Sequence, residues 1–84
     1  MLTFRDRQQK YKAIEQLRKT RILNVRKLAT LYDTWAAFAR ALGQDPAFIA
    51  GIAGPNPSRN IGEVLARDIE RCLKLPSGYL DTTH

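Results

Sequence analysis

The chain has 84 residues, 44% of them hydrophobic and 26% charged, with a formal net charge of +6. That length holds one small domain with one modest core, and the composition excludes a chain disordered throughout. No run of about 18 apolar residues exists to span a membrane, the N-terminus MLTFRDRQQK has no apolar signal core, and a single cysteine, Cys72, excludes an internal disulfide and fits a reducing cytoplasm.

The charge is unevenly placed. Residues 1–27 carry nine Lys/Arg against Asp6 and Glu15, a net of +7, whereas residues 28–84 carry five Lys/Arg against six Asp/Glu, a net of −1. The basic character therefore belongs to the N-terminal segment, where it suits a polyanion such as nucleic acid or a solvated helix face.

Residues 1–21 read as a basic amphipathic helix from Phe4 to about Arg21. Phe4, Tyr11, Ile14 and Leu17 recur at helical spacing and share one face, and Glu15 and Lys19 stand in the favoured i,i+4 order. This face suits packing on the domain or dimerisation with the same helix of a second copy; a phosphate backbone is a further option for the segment. Asn24 is a candidate cap for a helix from Val25 to about Tyr32, whose inner stripe is Val25, Leu28, Ala29 and Tyr32. No Gly or Pro separates it from the preceding helix, so one long helix through this region is the alternative.

Residues 34–53, TWAAFARALGQDPAFIAGIA, predict two short helices joined by a tight turn. Thr34 caps the first, alanines favour it, and Gly43 ends it in the left-handed conformation. Asp45 caps the second, with Pro46 at its first position. Phe38, Leu42, Ile49 and Ile52 supply the apolar faces that meet across the bend. This is a helix-turn-helix, a unit whose second helix commonly enters the DNA major groove.

Gly54-Pro-Asn-Pro-Ser-Arg is a loop, because two prolines and a glycine exclude a regular element. Asn60 is the expected cap of a last helix reaching about Lys74, with Glu63 completing a variant capping box. Its expected inner face is Ile61, Val64, Leu65, Ile69, Cys72 and Leu73, while Glu63, Asp68 and Glu70 read as surface charges. Pro76 stops it, Ser77–Leu80 forms one short turn with Tyr79 and Leu80 on the core, and the end of the chain from Asp81 frays, 82–84 forming a tail. Catalytic chemistry has little to work with: His84 is the last residue, Cys72 is expected to be a buried thiol, and neither a metal-ligand cluster nor a phosphate-cradling loop is present. No enzyme, cofactor or metal is expected.

The run FARALGQDPAFIAGIAG resembles the helix-turn-helix of the lambda-repressor-like (Cro and xenobiotic-response-element type) family. The later run RNIGEVLARDIERCLKLPSGYLD is similar to phage and prophage repressors of that family, through Ala66, Arg67, Ile69 and Glu70 and then Leu75, Pro76, Gly78, Tyr79, Leu80 and Asp81. The likeness covers about Ile22 to Asp81. It implies an all-α, five- or six-helix lambda-repressor-like DNA-binding domain over 22–81, with the basic N-terminal helix as an addition and no attached cleavage or sensor domain. It also implies a sequence-specific transcriptional regulator of double-stranded DNA, acting as a homodimer. Carried over by position, the base-reading residues are Gln44, Ala47, Phe48 and Gly51, and the phosphate contacts are Trp35, Arg40, Asn56, Ser58, Arg59 and Asn60. The chain departs from the family in having Trp35 where glutamine is usual, and in a second helix almost without hydrogen-bonding side chains. That departure motivates a rival expectation, an apolar surface of Trp35, Phe48, Ile52 and Ala53 that binds a protein partner, as an antirepressor or partner-binding regulator does.

Overall fold

The structure, a computed structural model, describes the backbone from Phe4 to His84 and the side chains from Lys12 onward. Within those bounds the chain forms four α-helices and one 3-10 turn, with no strand: α1 Phe4–Ala29, α2 Trp35–Ala41, α3 Pro46–Ala53, α4 Glu63–Cys72, and the turn Tyr79–Asp81.

The alternative of one long N-terminal helix is the one realised. Its 26 residues contain neither Gly nor Pro, and Lys, Arg, Gln, Leu and Ala dominate them. Asn24 is therefore not a cap. It sits inside α1, where the backbone is already satisfied, and its buried side-chain amide donates to the carbonyls of Leu80 (2.9 Å) and Thr82 (2.8 Å). The helix ends in tightened turns: Thr30 N–H and Thr30 Oγ1 both donate to the Lys27 carbonyl. Phe4 and Tyr11 of the expected apolar face lie outside the residues whose side chains are described. Ile14 is 38% exposed and Leu17 half-buried.

The expected short helices at 34–53 are both present. Thr34 Oγ1 accepts from Ala37 N–H at 3.0 Å and Asp45 Oδ1 accepts from Ala47 N–H at 2.8 Å, with Pro46 opening α3. α2 closes with Gly43 at φ 64°, which lets Gln44 N–H reach the Ala39 carbonyl (2.9 Å) and Gly43 N–H the Arg40 carbonyl (3.0 Å). α4 ends by the same device: Leu75 N–H donates to Glu70 and Lys74 N–H to Arg71, but here the left-handed residue is Lys74, at φ 57°. A Cβ in that conformation costs on the order of 1 kcal/mol.

The core gathers Val25, Leu28 and Ala29 of α1, Phe38 and Ala39 of α2, Ile49, Ile52 and Ala53 of α3, Ala66 and Ile69 of α4, and Leu42, Ile61 and Leu80 from the connections. Each large member withdrawn from water contributes roughly 1.5–3 kcal/mol. Phe38 is the hub, with Tyr32 against it at 5.3 Å and Trp35 stacked at 6.2 Å between ring centroids.

The last helix departs from expectation. It starts at Glu63, with Gly62 as the cap position and no side-chain cap, so the Asn60 capping box is not formed. Its inner line is Ala66, Ile69 and Glu70, while Val64 is 76% exposed and Cys72 is exposed rather than buried. The apolar count missed this because the inner position taken by Glu70 is polar. Glu70 is 1% exposed, and its two oxygens accept from Gly78 N–H (3.1 Å) and Leu80 N–H (2.8 Å), so it organises the C-terminal turn.

Nor does the chain fray from Asp81 onward. Asp81 Oδ1 accepts from Arg21 Nε at 2.7 Å and Oδ2 from Arg67 Nη2 at 2.8 Å. Arg21, buried inside the basic segment, also donates to the Ile61 carbonyl (2.9 Å) and Glu63 (2.8 Å). His84 stacks on Tyr79 at 3.9 Å, and Lys27 Nζ bonds its carbonyl. The bonds from Arg21 hold the Asp81 carboxyl below the usual carboxylate range and raise the Arg21 guanidinium above its ordinary value.

Two outcomes follow. A carboxyl whose folded pKa is depressed stabilises the fold above its unfolded value and stops doing so as pH falls through the folded one. Asp81→Ala therefore lowers unfolding free energy by about 2 kcal/mol at pH 7, and the gap to wild type begins to narrow only as pH falls below about 4, toward the depressed folded value; urea titrations at pH 7 and pH 3 measure it, and a gap at pH 3 no smaller than at pH 7 contradicts the assignment. Lys74→Gly raises stability by about 0.5–1 kcal/mol by removing the left-handed Cβ, visible as a higher thermal midpoint.

Candidate functional site

α3 is held at both ends and along one side, and that fixes which of its residues remain available. At its start, Asp45 caps the first turn. At its end, Arg26 of α1 donates from Nε to the Ala53 carbonyl (2.9 Å) and from Nη2 to the Gly54 carbonyl (2.7 Å). A cation at the carboxyl end of a helix also meets the negative end of its dipole. Gly54 has little choice of side chain, since an added Cβ would lie 2.5 Å from the Ala50 carbonyl oxygen. Ile49, Ile52 and Ala53 are buried against α1 and α2. What is left facing outward is Gln44, Asp45, Pro46, Ala47 and Ala50, with Phe48 and Gly51 half-buried at the margin.

The loop after α3 is tied to the same helix. The Gly51 carbonyl accepts from both Ser58 N–H (2.9 Å) and Arg59 N–H (3.0 Å). The Arg59 guanidinium lies over the Phe48 ring, 5.7 Å from its centroid, a cation–π contact. Asn56, Ser58, Arg59 and Asn60 are all exposed. The structure thus brings Phe48, Gly51, Ser58 and Arg59 together on one patch bordered by Ala47. Gln44 lies at the opposite end of α3, where it joins Phe48 in lining a cavity of about 200 Å³ between α3 and α4, floored by Leu42, Ile52, Leu65 and Ile69. Arg40 is exposed on α2 and makes no ion pair among the described residues. Trp35 stands at the start of α2, its ring stacked on Phe38 and 38% exposed.

The apolar surface expected from Trp35, Phe48, Ile52 and Ala53 does not form. Ile52 is fully buried and Ala53 is 3% exposed, so the apolar composition of α3 is spent inside the domain. Sequence reasoning missed Arg26, Arg21 and Glu70, the charged groups that position α3 and the C-terminal turn. Its one available signal was helical register: Arg21 and Asn24 stand one turn before Val25 and Leu28 on the face already identified as buried.

Among the described residues, no group of three or more His, Cys, Asp or Glu is placed to hold a metal ion, and no helix is long and apolar enough to cross a membrane. What the patch offers is side-chain donors, a guanidinium held over an aromatic ring, and a helix edge of small side chains, which suits an extended anionic surface better than a small substrate.

No protein-family model and no solved structure matches the chain. It is 34% identical over 73 residues to Prophage repressor CohE of Escherichia coli (strain K12), an alignment that takes in 87% of this chain and 31% of that protein. The chain thus spans about a third of the length of the curated relative it matches. Over most of its own length the chain is similar to a prophage repressor.

Proposed function

We propose that the chain binds double-stranded DNA sequence-specifically as a transcriptional regulator of repressor type, in the cytoplasm and without catalytic activity of its own. The observation that carries this reading is the construction around α3, whose exposed edge, Gln44, Ala47, Phe48 and Gly51, is bordered by a loop bonded to Gly51. In this reading α2, the turn and α3 act as a helix-turn-helix. α3 lies in the major groove with Gln44 as the main hydrogen-bonding reader, while Ala47 and Phe48 meet apolar base edges such as a thymine methyl. Arg59, Ser58, Asn56 and Asn60 contact phosphates after α3, with Arg40 and the Trp35 indole N–H before it. The repressor name of the relative points the same way.

Groove-binding helices of this kind act in pairs, with half-sites about one turn of DNA apart. The dimer contact in this proposal is the face of α1 that carries Ile14 and Leu17, which continues the line of Val25 and Leu28 beyond the domain it packs on. A protein-binding role in place of DNA is less well supported, because Ile52 and Ala53, half of the surface it required, are buried.

The test is a titration against a random duplex pool and against DNA flanking the gene, at several salt concentrations. Selective binding to the flanking DNA supports the reading; equal weak binding to both sinks it. Arg59→Ala is expected to weaken binding to all sequences alike and to reduce the salt slope by about 1, whereas Gln44→Ala is expected to relax preference at one base pair by about 1–3 kcal/mol. For the dimer, Ile14→Glu is expected to lower the mass found by sedimentation equilibrium without loss of helicity; an unchanged mass removes α1 from the contact.

A further inference from the structure

We propose that a stripe on α1 carrying Lys12 and Lys19 is a second DNA contact, which follows the phosphodiester backbone beside the groove that α3 occupies. The inference rests on the DNA-binding reading above and extends the site to a part of the chain that reading uses only for pairing. Lys12, Lys19 and Arg26 stand seven residues apart, just under two helical turns. Such a series drifts only about 20° around a straight helix per seven residues, so the three share a face. Lys19 and Arg26 flank one shallow groove, floored by Ile22 and Leu23.

Arg26 fixes where that face points. Its guanidinium bonds the last carbonyl of α3, that of Ala53, and the Gly54 carbonyl, at the root of the loop that carries Asn56, Ser58, Arg59 and Asn60. The stripe is therefore continuous with the candidate phosphate contacts and departs from them along α1. At about 1.5 Å per residue, Lys19 lies about 10 Å and Lys12 about 21 Å beyond Arg26. The protein measures 48 Å along its longest axis against 27 and 20 Å across, so α1 projects well past the packed helices. Lys12 and Lys19 are exposed, and neither joins an ion pair among the described residues.

Charge complementarity names the occupant. Residues 4–19 hold six Lys/Arg against two Asp/Glu, a net of +4. A duplex carries one negative charge per about 1.7 Å of axis, so every register along the stripe meets phosphate and no shape match is required. An acidic protein would need its own matched surface in the space beside the bound duplex. Ile14 and Leu17 occupy a different face, so pairing and phosphate contact do not compete.

The experiment uses the whole chain, wild type against the double variant Lys12→Ala with Lys19→Ala, and reads fluorescence anisotropy with a flanking-sequence duplex, a random duplex of equal length, and poly-glutamate. The expected result is an equal loss of affinity for both duplexes, roughly tenfold near 0.1 M salt, with the salt slope smaller by about 1.8, which is about 0.9 for each of two phosphates. Circular dichroism is expected to stay unchanged, since both lysines are exposed. If the double variant matches wild type on both duplexes while Arg59→Ala weakens binding, the domain binds DNA without α1 and the stripe proposal falls alone. Failure of wild type to bind either duplex overturns the DNA reading and this inference together. Loss of poly-glutamate binding with duplex binding intact would assign the stripe to an acidic protein and overturn it.

Discussion

Arg21 is the constraint on which the rest of the fold depends. Its guanidinium is buried and bonds Asp81, Glu63 and the Ile61 carbonyl, so one side chain fixes the final turn, the start of α4 and the connection before it against α1. A buried guanidinium without its carboxylates leaves an uncompensated charge, which costs several kcal/mol. The closed arrangement is therefore strongly preferred over partial ones. Asn24 and Glu70 complete it from two sides, Asn24 by donating twice to the C-terminal carbonyls, and Glu70 by accepting from two N–H groups of the same turn. Arg67 adds a bond to Asp81 and stands 3.3 Å from Glu70. With four α-helices and a small core, an 84-residue chain gains much of its definition from this polar lock rather than from added apolar area.

The lock matters to the candidate site because it frees α3 from any structural duty except packing. α1 is held from one side by the C-terminal turn and reaches α3 from the other through Arg26. With α3 seated by Ile49, Ile52 and Ala53 and its last carbonyl bonded by Arg26, its outward edge meets only the loop that follows it. That explains the scarcity of polar side chains on α3. Eight residues supply three to the core, one proline to the entry and one glycine to the loop contact, so little remains for polar chemistry. The neighbouring loop supplies the donors instead, with Arg59 held over Phe48 and its backbone bonded to Gly51.

Much of this was legible in the sequence, and what was not has a common cause. Local grammar fixed the short helices correctly: Thr34, Gly43, Asp45 and Pro46 each impose a conformation through their own covalent structure, with no need of a distant partner. The burial of Val25, Leu28 and Ala29 was likewise readable from helical register, and that of Leu80 from the turn after Pro76. The errors fall on polar residues whose role depends on a partner far along the chain. Asn24 looks like a cap until Leu80 and Thr82 are placed beside it. Glu70 looks solvated until Gly78 and Leu80 fold over it. Arg21 and Arg26 were counted in a basic run, since a charge count does not distinguish a guanidinium bonded to buried carbonyls from one in water. At the site, Gln44, Ala47 and Arg59 were named by position from the family likeness, but the Gly51 carbonyl as the anchor of the loop carries no sequence signal at all, because any residue has that oxygen.

The same distinction separates the two kinds of positive charge on α1. Arg21 and Arg26 have fixed geometry and bonded partners, and they act on the fold. Lys12 and Lys19 have neither, and a lysine ammonium on a flexible stem loses rotamer entropy whenever it is held. Natural surfaces carry many such lysines for solubility alone, and an isolated pair contributes little. What sets these two apart is their register with Arg26. A residue that must point at the end of α3 fixes the rotation of α1 about its own axis, and every residue seven positions earlier inherits that direction through the rigid helix. The lysines thus need no bonds of their own to be aimed. The orientation of the projecting half of α1 is set inside the domain, by the two carbonyl bonds of Arg26, and any ligand that lies against the loop after α3 meets that half along the same line.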